Sequence, residues 1–395
     1  MHVVILPSES FLTSWAPLGG IFQMDLARAL VDEGHTVGVL AVGKVPMRNV
    51  FGRRRYASFE TVEGVAILRR YLRLPIPQRL DHSTWLGALY ARTAAGALER
   101  YIRNAGRPDV LHAHNVRYGG VVAKRLSEEF GIPFVVTEHS SEYATGRVTR
   151  SRVSAFRDVW RSAAARSVVS SALASHIVRQ LDVDRNRINV IPNMLPRGFE
   201  DLRSLDTPPR GDDGFVLLNI AQFVPIKGHQ LLLRAFASAF AGGNECLRLV
   251  GSGPLESELR AMVEQLGVGG QVSFRGRLSR NEIRDELRAS DAFVLASSAE
   301  TFGVVVIEAL SQGVPIVTSA CGGPEEIVQV GDGFVVPNHD VEALAEGMLR
   351  MRAEIVRFDR REISQRCAGR FASEAVARQY AAWYAGAVAG VACTA

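Results

Sequence analysis

The stretch Ala292-Phe-Val-Leu-Ala-Ser-Ser-Ala-Glu300-Thr-Phe-Gly-Val-Val-Val-Ile-Glu308-Ala-Leu-Ser-Gln-Gly-Val-Pro315-Ile-Val-Thr-Ser-Ala320 holds most of what the chain says about itself. Two short β-rich apolar runs, Ala292 to Ser297 and Pro315 to Ala320, flank a helical segment that ends at Gln312. A strand, a helix and a second strand in that order form a parallel α/β unit. Glu300 falls in the loop before the helix, where a carboxylate can accept hydrogen bonds from sugar hydroxyls. The amides of Phe302, Gly303, Val304 and Val305 open the helix, and such amides attract phosphate. Glu308 lies more than one turn further on, within reach of ribose hydroxyls on the same ligand. Taken alone, the two glutamates could be a capping carboxylate and a surface residue. The Phe302-Gly303 between them, and Gly322-Gly-Pro-Glu-Glu326 after the next strand, argue against that.

Outward from this unit the same alternation fills the chain. Strand candidates in the first half are Val3 to Leu6, Thr36 to Leu40, Val65 to Leu68, Val110 to His114, Phe134 to His139, Ser167 to Ser171 and Asn189 to Asn193. In the second half they are Phe215 to Ala221, Cys246 to Gly251, Val272 to Gly276, Ala292 to Ser297, Pro315 to Ala320 and Gly333 to Pro337. Helix-period segments lie between, notably Gly20 to Glu33, Thr84 to Asn104 and Gly119 to Phe130. A polar stretch from Pro196 to Gly214 interrupts the pattern and reads as a linker. At 395 residues the chain exceeds one hydrophobic core. Two doubly wound domains follow, over 1–200 and 201–375, with a helix and tail over 376–395. In such sheets ligands bind beyond the carboxyl ends of the strands.

Composition narrows the class. With 47% hydrophobic and 22% charged residues the chain is globular rather than disordered. Met1 to Leu6 reads as a first strand, not a signal peptide. No run has the roughly 20 strongly apolar residues of a spanning helix. Cys246, Cys321, Cys367 and Cys393 lack metal or redox spacing and suit a reducing cytoplasm. The net charge of +5 is mild, but arginines gather at 48, 53–55, 69, 70, 73 and 79, and again at 147, 150, 152, 157, 161 and 166. They form either a solvated basic face or one attracted to anionic membrane or an anionic acceptor. Nucleic acid is not expected, since neither cluster carries interleaved aromatics.

The chain resembles the retaining glycosyltransferases of the two-Rossmann (GT-B) type, group 1 or family 4. The resemblance runs through Gly19-Gly20 before the first helix, Gly34-His35 after it, and His139 closing Val-Val-Thr-Glu-His. It continues through Ile191-Pro-Asn, Pro225-Ile-Lys227-Gly228, Val250-Gly-Ser-Gly-Pro254, Phe274-Arg-Gly276 and the Glu300/Glu308 pair, the most specific feature.

The resemblance implies two Rossmann-like domains facing across a cleft, the first binding an acceptor and the second a UDP- or GDP-sugar. The tail helix would pack back towards the first domain. Lys227 then matches the lysine at the donor diphosphate, Glu300 the contact to donor-sugar hydroxyls, and Glu308 the ribose ligand. Gly19 and Gly20 match the turn whose backbone nears the phosphates, and His139 a residue near the donor sugar. His139, Lys227 and Glu300 are thus the catalytic candidates. Gly19, Gly20, Gln222, Gly251, Gly253, Arg277, Leu278, Thr301, Phe302, Gly303, Val304 and Val305 join Lys227, Glu300 and Glu308 around the donor. No cofactor or metal is expected. The acceptor would be a saccharide, a small molecule or a lipid-linked sugar of envelope or polysaccharide synthesis. The protein would be cytoplasmic, or peripheral on the inner membrane face.

In one place the chain departs from the family. Five residues before Lys227, where the family often carries a second phosphate cation, stands Gln222; Arg275 or Arg277 could compensate. Competing motifs are weaker. Asp182-Val-Asp184 resembles an Asp-X-Asp metal motif, but its place beside the linker suits helix-end solvation. Gly251-Ser-Gly253 starts like a dinucleotide fingerprint, yet Glu256 stands where a third glycine belongs, leaving an NAD-dependent oxidoreductase as a remote alternative. An epimerase or phosphorylase of the same fold is a nearer one, and a non-catalytic lobe pair is disfavoured by the intact Lys227, Glu300 and Glu308. His112-Ala-His114 is taken as a strand-end pair and not as metal ligands, on the expectation that the two rings point to opposite faces and lack a third ligand.

Overall fold

A computed structural model describes residues 1–16, 19–45, 57–73, 84–200 and 214–392. The chain separates into two compact units. One comprises Met1–Val169, Ala174–Ile191 and Ser373–Ala395, and the other Ser170–Leu173 and Pro192–Ala372.

In chain order the first unit begins with β1 (His2–Leu6), α1 (Ile21–Asp32), β2 (Thr36–Lys44), β3 (Ala57–Val62), β4 (Val65–Leu72) and α2 (Thr84–Ala105). It continues with β5 (Val110–His114), α3 (Val121–Phe130), β6 (Phe134–Glu138), α4 (Arg150–Ser162), β7 (Ala165–Val168), α5 (Ser171–Leu181) and β8 (Asn189–Val190). Its eight-stranded sheet has the order β3-β4-β2-β1-β5-β6-β7-β8, and only the β3–β4 pair is antiparallel among those described. The strand order reverses at β1 and β5, so the loops that follow these two strands open at the switch point. Val3, Val4, Ile5, Val110 and Leu111 are fully buried, as strands covered on both faces require.

The second unit holds β9 (Val216–Ile220), α6 (His229–Phe240), β10 (Cys246–Val250), α7 (Glu256–Gln265), β11 (Val272–Gly276), α8 (Arg280–Arg288) and β12 (Ala292–Leu295). Then come α9 (Val304–Ser311), β13 (Ile316–Ser319), α10 (Gly323–Ile327), β14 (Gly333–Val336), α11 (Val341–Glu354) and α12 (Arg360–Phe371). Its six-stranded parallel sheet runs β11-β10-β9-β12-β13-β14, with the switch point at β9 and β12. Phe223, Phe236, Leu249, Val294 and Met348 share its core. The last helix, α13 (Ser373–Ala392), counts with the first unit and packs on α1.

Several boundaries differ from the sequence expectation. The division falls at Ile191/Pro192 and not at 200/201. The reason is local: Leu195 N–H donates to Phe371 O at 2.8 Å and Gln312 Nε2 to Phe199 O at 3.2 Å, so 192–199 is stitched to the second unit. The rest of the expected linker, 201–213, lies outside the described residues, as do Arg48, Arg53, Arg54, Arg55 and Arg79. Ser171, expected to end a strand, instead opens α5, and the strand at Asn189 stops at Val190.

Candidate active site

The second unit places its chemistry at its switch point. After β9 the chain turns through Gln222 and Phe223. Phe223 is fully buried in the core and anchors the loop, while Gln222 is exposed beside it. A 3-10 turn, Pro225–Lys227, follows and ends on Gly228 at φ 66°. A Cβ on Gly228 would lie 2.0 Å from Ala296 O, so only glycine lets this loop press against the end of β12. Ser298 N–H donates to Ile226 O at 2.8 Å and fastens the two loops.

That fastening brings Lys227 to Glu300. Lys227 Nζ lies 2.5 Å from Glu300 Oε1, and Ser297 Oγ donates to the same oxygen at 2.8 Å. Both charged side chains keep some solvent access, at 27% and 12% exposure, so a ligand can reach either. Glu300 is itself fixed through its backbone: its N–H donates to Cys321 O at 2.8 Å and its carbonyl accepts from Gly323 N–H at 3.0 Å. Gly323 makes this possible, because a Cβ there would sit 2.3 Å from Phe302 Cα.

Gly303, at φ 97°, starts α9 without a side-chain cap. The first-turn amides of Val304 and Val305 have no carbonyl one turn earlier in the helix to receive them, and Thr301 and Phe302 lead into them. Glu308 is part-buried on the same helix, one turn in. Burial pushes its carboxyl up to about 7, against the pull of Arg280 at the start of α8. Around the neighbouring strand end, Gly251 N–H donates to Gly276 O at 2.8 Å, and Phe223 N–H to Ser252 O at 3.1 Å. Gly253 lies so close to Phe223 that a Cβ would meet its carbonyl oxygen at 2.5 Å. Glu256 opens α7 here, and the run is a support for the Gln222 loop.

The question of a substitute cation for Gln222 narrows. Arg275 is committed to Glu286, at 2.7 Å, which Arg248 also contacts at 3.2 Å. Arg277 and Leu278 follow β11, with Arg277 exposed. Beneath Lys227 lies His229, only 2% exposed, both of whose ring nitrogens lack a hydrogen-bond partner among the described residues. Burial and the Lys227 charge hold it down at about 4, so it is neutral.

The first unit's switch point is built differently. Gly19 and Gly20 precede α1; Gly20, at φ 76°, starts the helix, and its N–H donates to Glu9 Oε1 at 2.9 Å. After β5 the backbone takes an irregular turn from Asn115 to Gly120, with positive φ at two non-glycine residues, Asn115 and Tyr118. His139 follows β6, with its N–H donating to Asn115 Oδ1 at 2.8 Å. Glu138 accepts from Val116 and Ser140 N–H at 2.9 and 2.8 Å, and burial raises its carboxyl to about 7.

His112 and His114 correct the expectation stated above. A two-residue spacing puts both on the same face of a strand, and their rings lie 4.3 Å apart. His139 adds a third imidazole, its Nε2 3.0 Å from His114 Nδ1. Among the described residues no group of three His, Cys, Asp or Glu side chains could hold a metal ion, this row included. Asp184 caps the short turn after α5 through Asn186 N–H at 2.9 Å, and Asp182 takes φ 50° at the helix end.

The structure thus brings Lys227 to Glu300, with Glu308 one turn along the helix that follows. It shows Ser297, Arg280 and Asn115 as partners that the sequence alone did not single out, and it joins His114, read there only as half of a strand-end pair, to His139. Only Arg280 left a trace there, behind the Ser279-Arg-Asn-Glu282 capping box that opens α8.

Comparison with known proteins agrees with this architecture. Residues 205–355 match the model of glycosyl transferases group 1, and residues 20–194 the glycosyl transferase 4-like domain. D-inositol 3-phosphate glycosyltransferase of Acidothermus cellulolyticus is 29% identical over 367 residues, 85% of this chain and 79% of that one. Sucrose-phosphate synthase of Thermosynechococcus elongatus superposes with a TM-score of 0.77 at 21% identity, over 98% and 99% of the two chains. Anabaena Alr3699/HepE, solved with UDP and glucose, gives a TM-score of 0.70 at 19% identity, over 97% and 98%. With both halves of the chain matched in order, and with the α/β sheets those proteins share, the chain is a glycosyltransferase of the group 1, GT4-like family with the GT-B fold.

Proposed function

We propose that the protein transfers a sugar, with retention of configuration, from a nucleoside diphosphate sugar to a hydroxyl of a saccharide, small-molecule or lipid-linked acceptor. The Lys227–Glu300 contact at 2.5 Å, ahead of the uncapped start of α9, carries this reading. A diphosphate suits Lys227 and the α9 amides, donor-sugar hydroxyls suit Glu300, and ribose hydroxyls suit Glu308. As the diphosphate leaves, Lys227 would stabilise its growing charge. The leaving phosphate would help deprotonate the attacking hydroxyl on the same face, so no glycosidase-like carboxylate pair is needed. Lys227 and the helix end would take the part of a divalent cation, making transfer metal-independent.

A thermal-shift screen with UDP-, GDP- and ADP-sugars identifies the donor. Transfer to candidate acceptors is then followed by mass spectrometry, and the anomeric configuration of the product by NMR. Donor turnover that yields only an isomerised nucleotide sugar would replace the transferase with an epimerase.

The acceptor's location is part of the same proposal. No described helix is long and apolar enough to cross a membrane. We place the protein in the cytoplasm, its first unit docking reversibly on the anionic inner membrane face. Exposed Arg147, Arg150 and Arg161 support this, while Arg166 is spent on the Trp160 and Arg161 carbonyls. At about 1 kcal/mol per basic residue near such a surface, binding would be weak and lost in high salt. Co-sedimentation with phosphatidylserine vesicles at low and high salt tests it, and no binding at low salt overturns it.

A further inference from the structure

His112 and His114 stand side by side on β5, yet their partners differ. His112 is satisfied at both nitrogens: the Tyr384 hydroxyl meets Nδ1 at 2.8 Å and the Thr137 hydroxyl meets Nε2 at 2.8 Å. His114 has a partner at one nitrogen only. Its Nδ1 lies 3.0 Å from His139 Nε2, with the two rings within 9° of parallel. Its Nε2 is buried without a hydrogen-bond partner among the described residues, in a side chain 1% exposed.

Burial, reinforced by His112 and His139, holds His114 well below the ordinary histidine range, so the imidazole is neutral. A neutral imidazole has one N–H and one bare nitrogen. If His139 donated through Nε2, the His114 proton would sit on Nε2, a buried N–H with no acceptor. If His114 donates through Nδ1, its Nε2 is a bare nitrogen instead. Buried N–H groups without an acceptor are the rarer defect in folded proteins.

We infer that His114 is a positioning residue that donates Nδ1–H to His139 Nε2 and so fixes His139 as the Nδ1–H tautomer and not a base. The lone pair of Nε2 is occupied by His114, and Nδ1 already carries hydrogen. His139 therefore does not receive the proton of an attacking hydroxyl. That His139 meets the substrates rests on the proposed function; its tautomer does not.

The test uses the full chain with 15N-labelled histidine rings, with His139→Asn and His114→Asn spectra assigning the signals. Ring 15N shifts and two-bond couplings report which nitrogen bears hydrogen. A protonated Nδ1 and bare Nε2 on His139 in the ligand-free protein is the expected result; a protonated Nε2 overturns the inference. In His114→Leu, His139 should lose this single tautomer, and an unchanged signature would equally overturn it. Should His114→Leu fail to fold, the unmodified protein's spectrum still decides. In transfer assays His114→Asn, whose amide can donate in the same place, should retain activity within about 3-fold, and His114→Leu should lose about 10-fold in kcat. A matching tautomer in a protein that transfers no sugar would leave this inference standing and remove the proposed function.

Discussion

The two units carry the same kind of sheet and spend their switch points on opposite chemistries. In the second, charge is concentrated: Lys227 on Glu300, a Glu308 carboxyl that burial raises to about 7, and helix amides at the start of α9. In the first, the corresponding loops hold a row of imidazoles, with His114 kept neutral by burial, and a carboxyl, Glu138, that burial has raised to about 7. A fold that supplies only the carboxyl ends of strands as a platform leaves the loop residues free to decide. One unit suits an anion with many hydroxyls; the other suits a neutral group held by fixed dipoles.

The sharpest way to break this contrast is to remove its charge. Lys227→Ala should lower turnover about 100-fold, the scale of losing one donor to a developing oxyanion. Near-normal transfer in a steady-state assay, by a variant with unchanged circular dichroism, would mean that the charge concentration is not catalytic.

Glu308 gives a smaller effect with a pH signature. Glu308→Ala should lower kcat/KM about 10-fold, mainly through donor affinity. If ribose hydroxyls donate to the ionised carboxylate as proposed, nucleotide affinity should rise as pH increases through about 7, and Glu308→Gln should flatten that rise in calorimetric titrations. Stability should move the other way. A carboxyl whose folded pKa is raised stabilises the fold while protonated, below its unfolded value, and that contribution disappears as pH climbs through the folded value. The ligand-free Tm should therefore fall between pH 5 and 8, and fall less in Glu308→Gln, with Glu138 contributing the remainder.

Gln222→Arg sharpens the contrast in the gaining direction. With Arg275 held by Glu286, an added guanidinium should tighten nucleoside diphosphate binding about 3-fold to 10-fold, read by calorimetry. A null effect would place Gln222 away from the phosphates. The smallest effect is expected from chelator, less than about 2-fold on the rate. Complete loss restored by manganese would return Asp182 and Asp184 to consideration.

The second unit was the more legible in sequence. Its strands run unbroken between turns, and Glu300, Gly303 and Glu308 lie on one local segment whose spacing translates directly into a loop and a helical turn. The first unit hid its detail. In the β3–β4 hairpin only β4 is well buried; β3 is half-exposed with weak alternation, so Ala57–Val62 left little apolar signal. The Asn115–Gly120 turn depends on positive φ at Asn115 and Tyr118, which composition does not announce. The histidine row needed the strand period applied correctly, and then a third ring from β6 that no local pattern connects to β5. Its bond from Tyr384 spans 272 residues of sequence.

That last bond has a consequence for how the protein is made. The first unit is the earlier to leave the ribosome, yet α13, which completes it, is synthesised only after the second unit. Until Tyr384 arrives, the His112 Nδ1 lacks the partner it has in the finished protein, and the face of α1 that α13 covers stays open. Domain-by-domain folding during synthesis is the usual order. Here the first unit waits for α13, and nascent chains halted before residue 373 should remain protease-sensitive in that unit even after the second unit has folded.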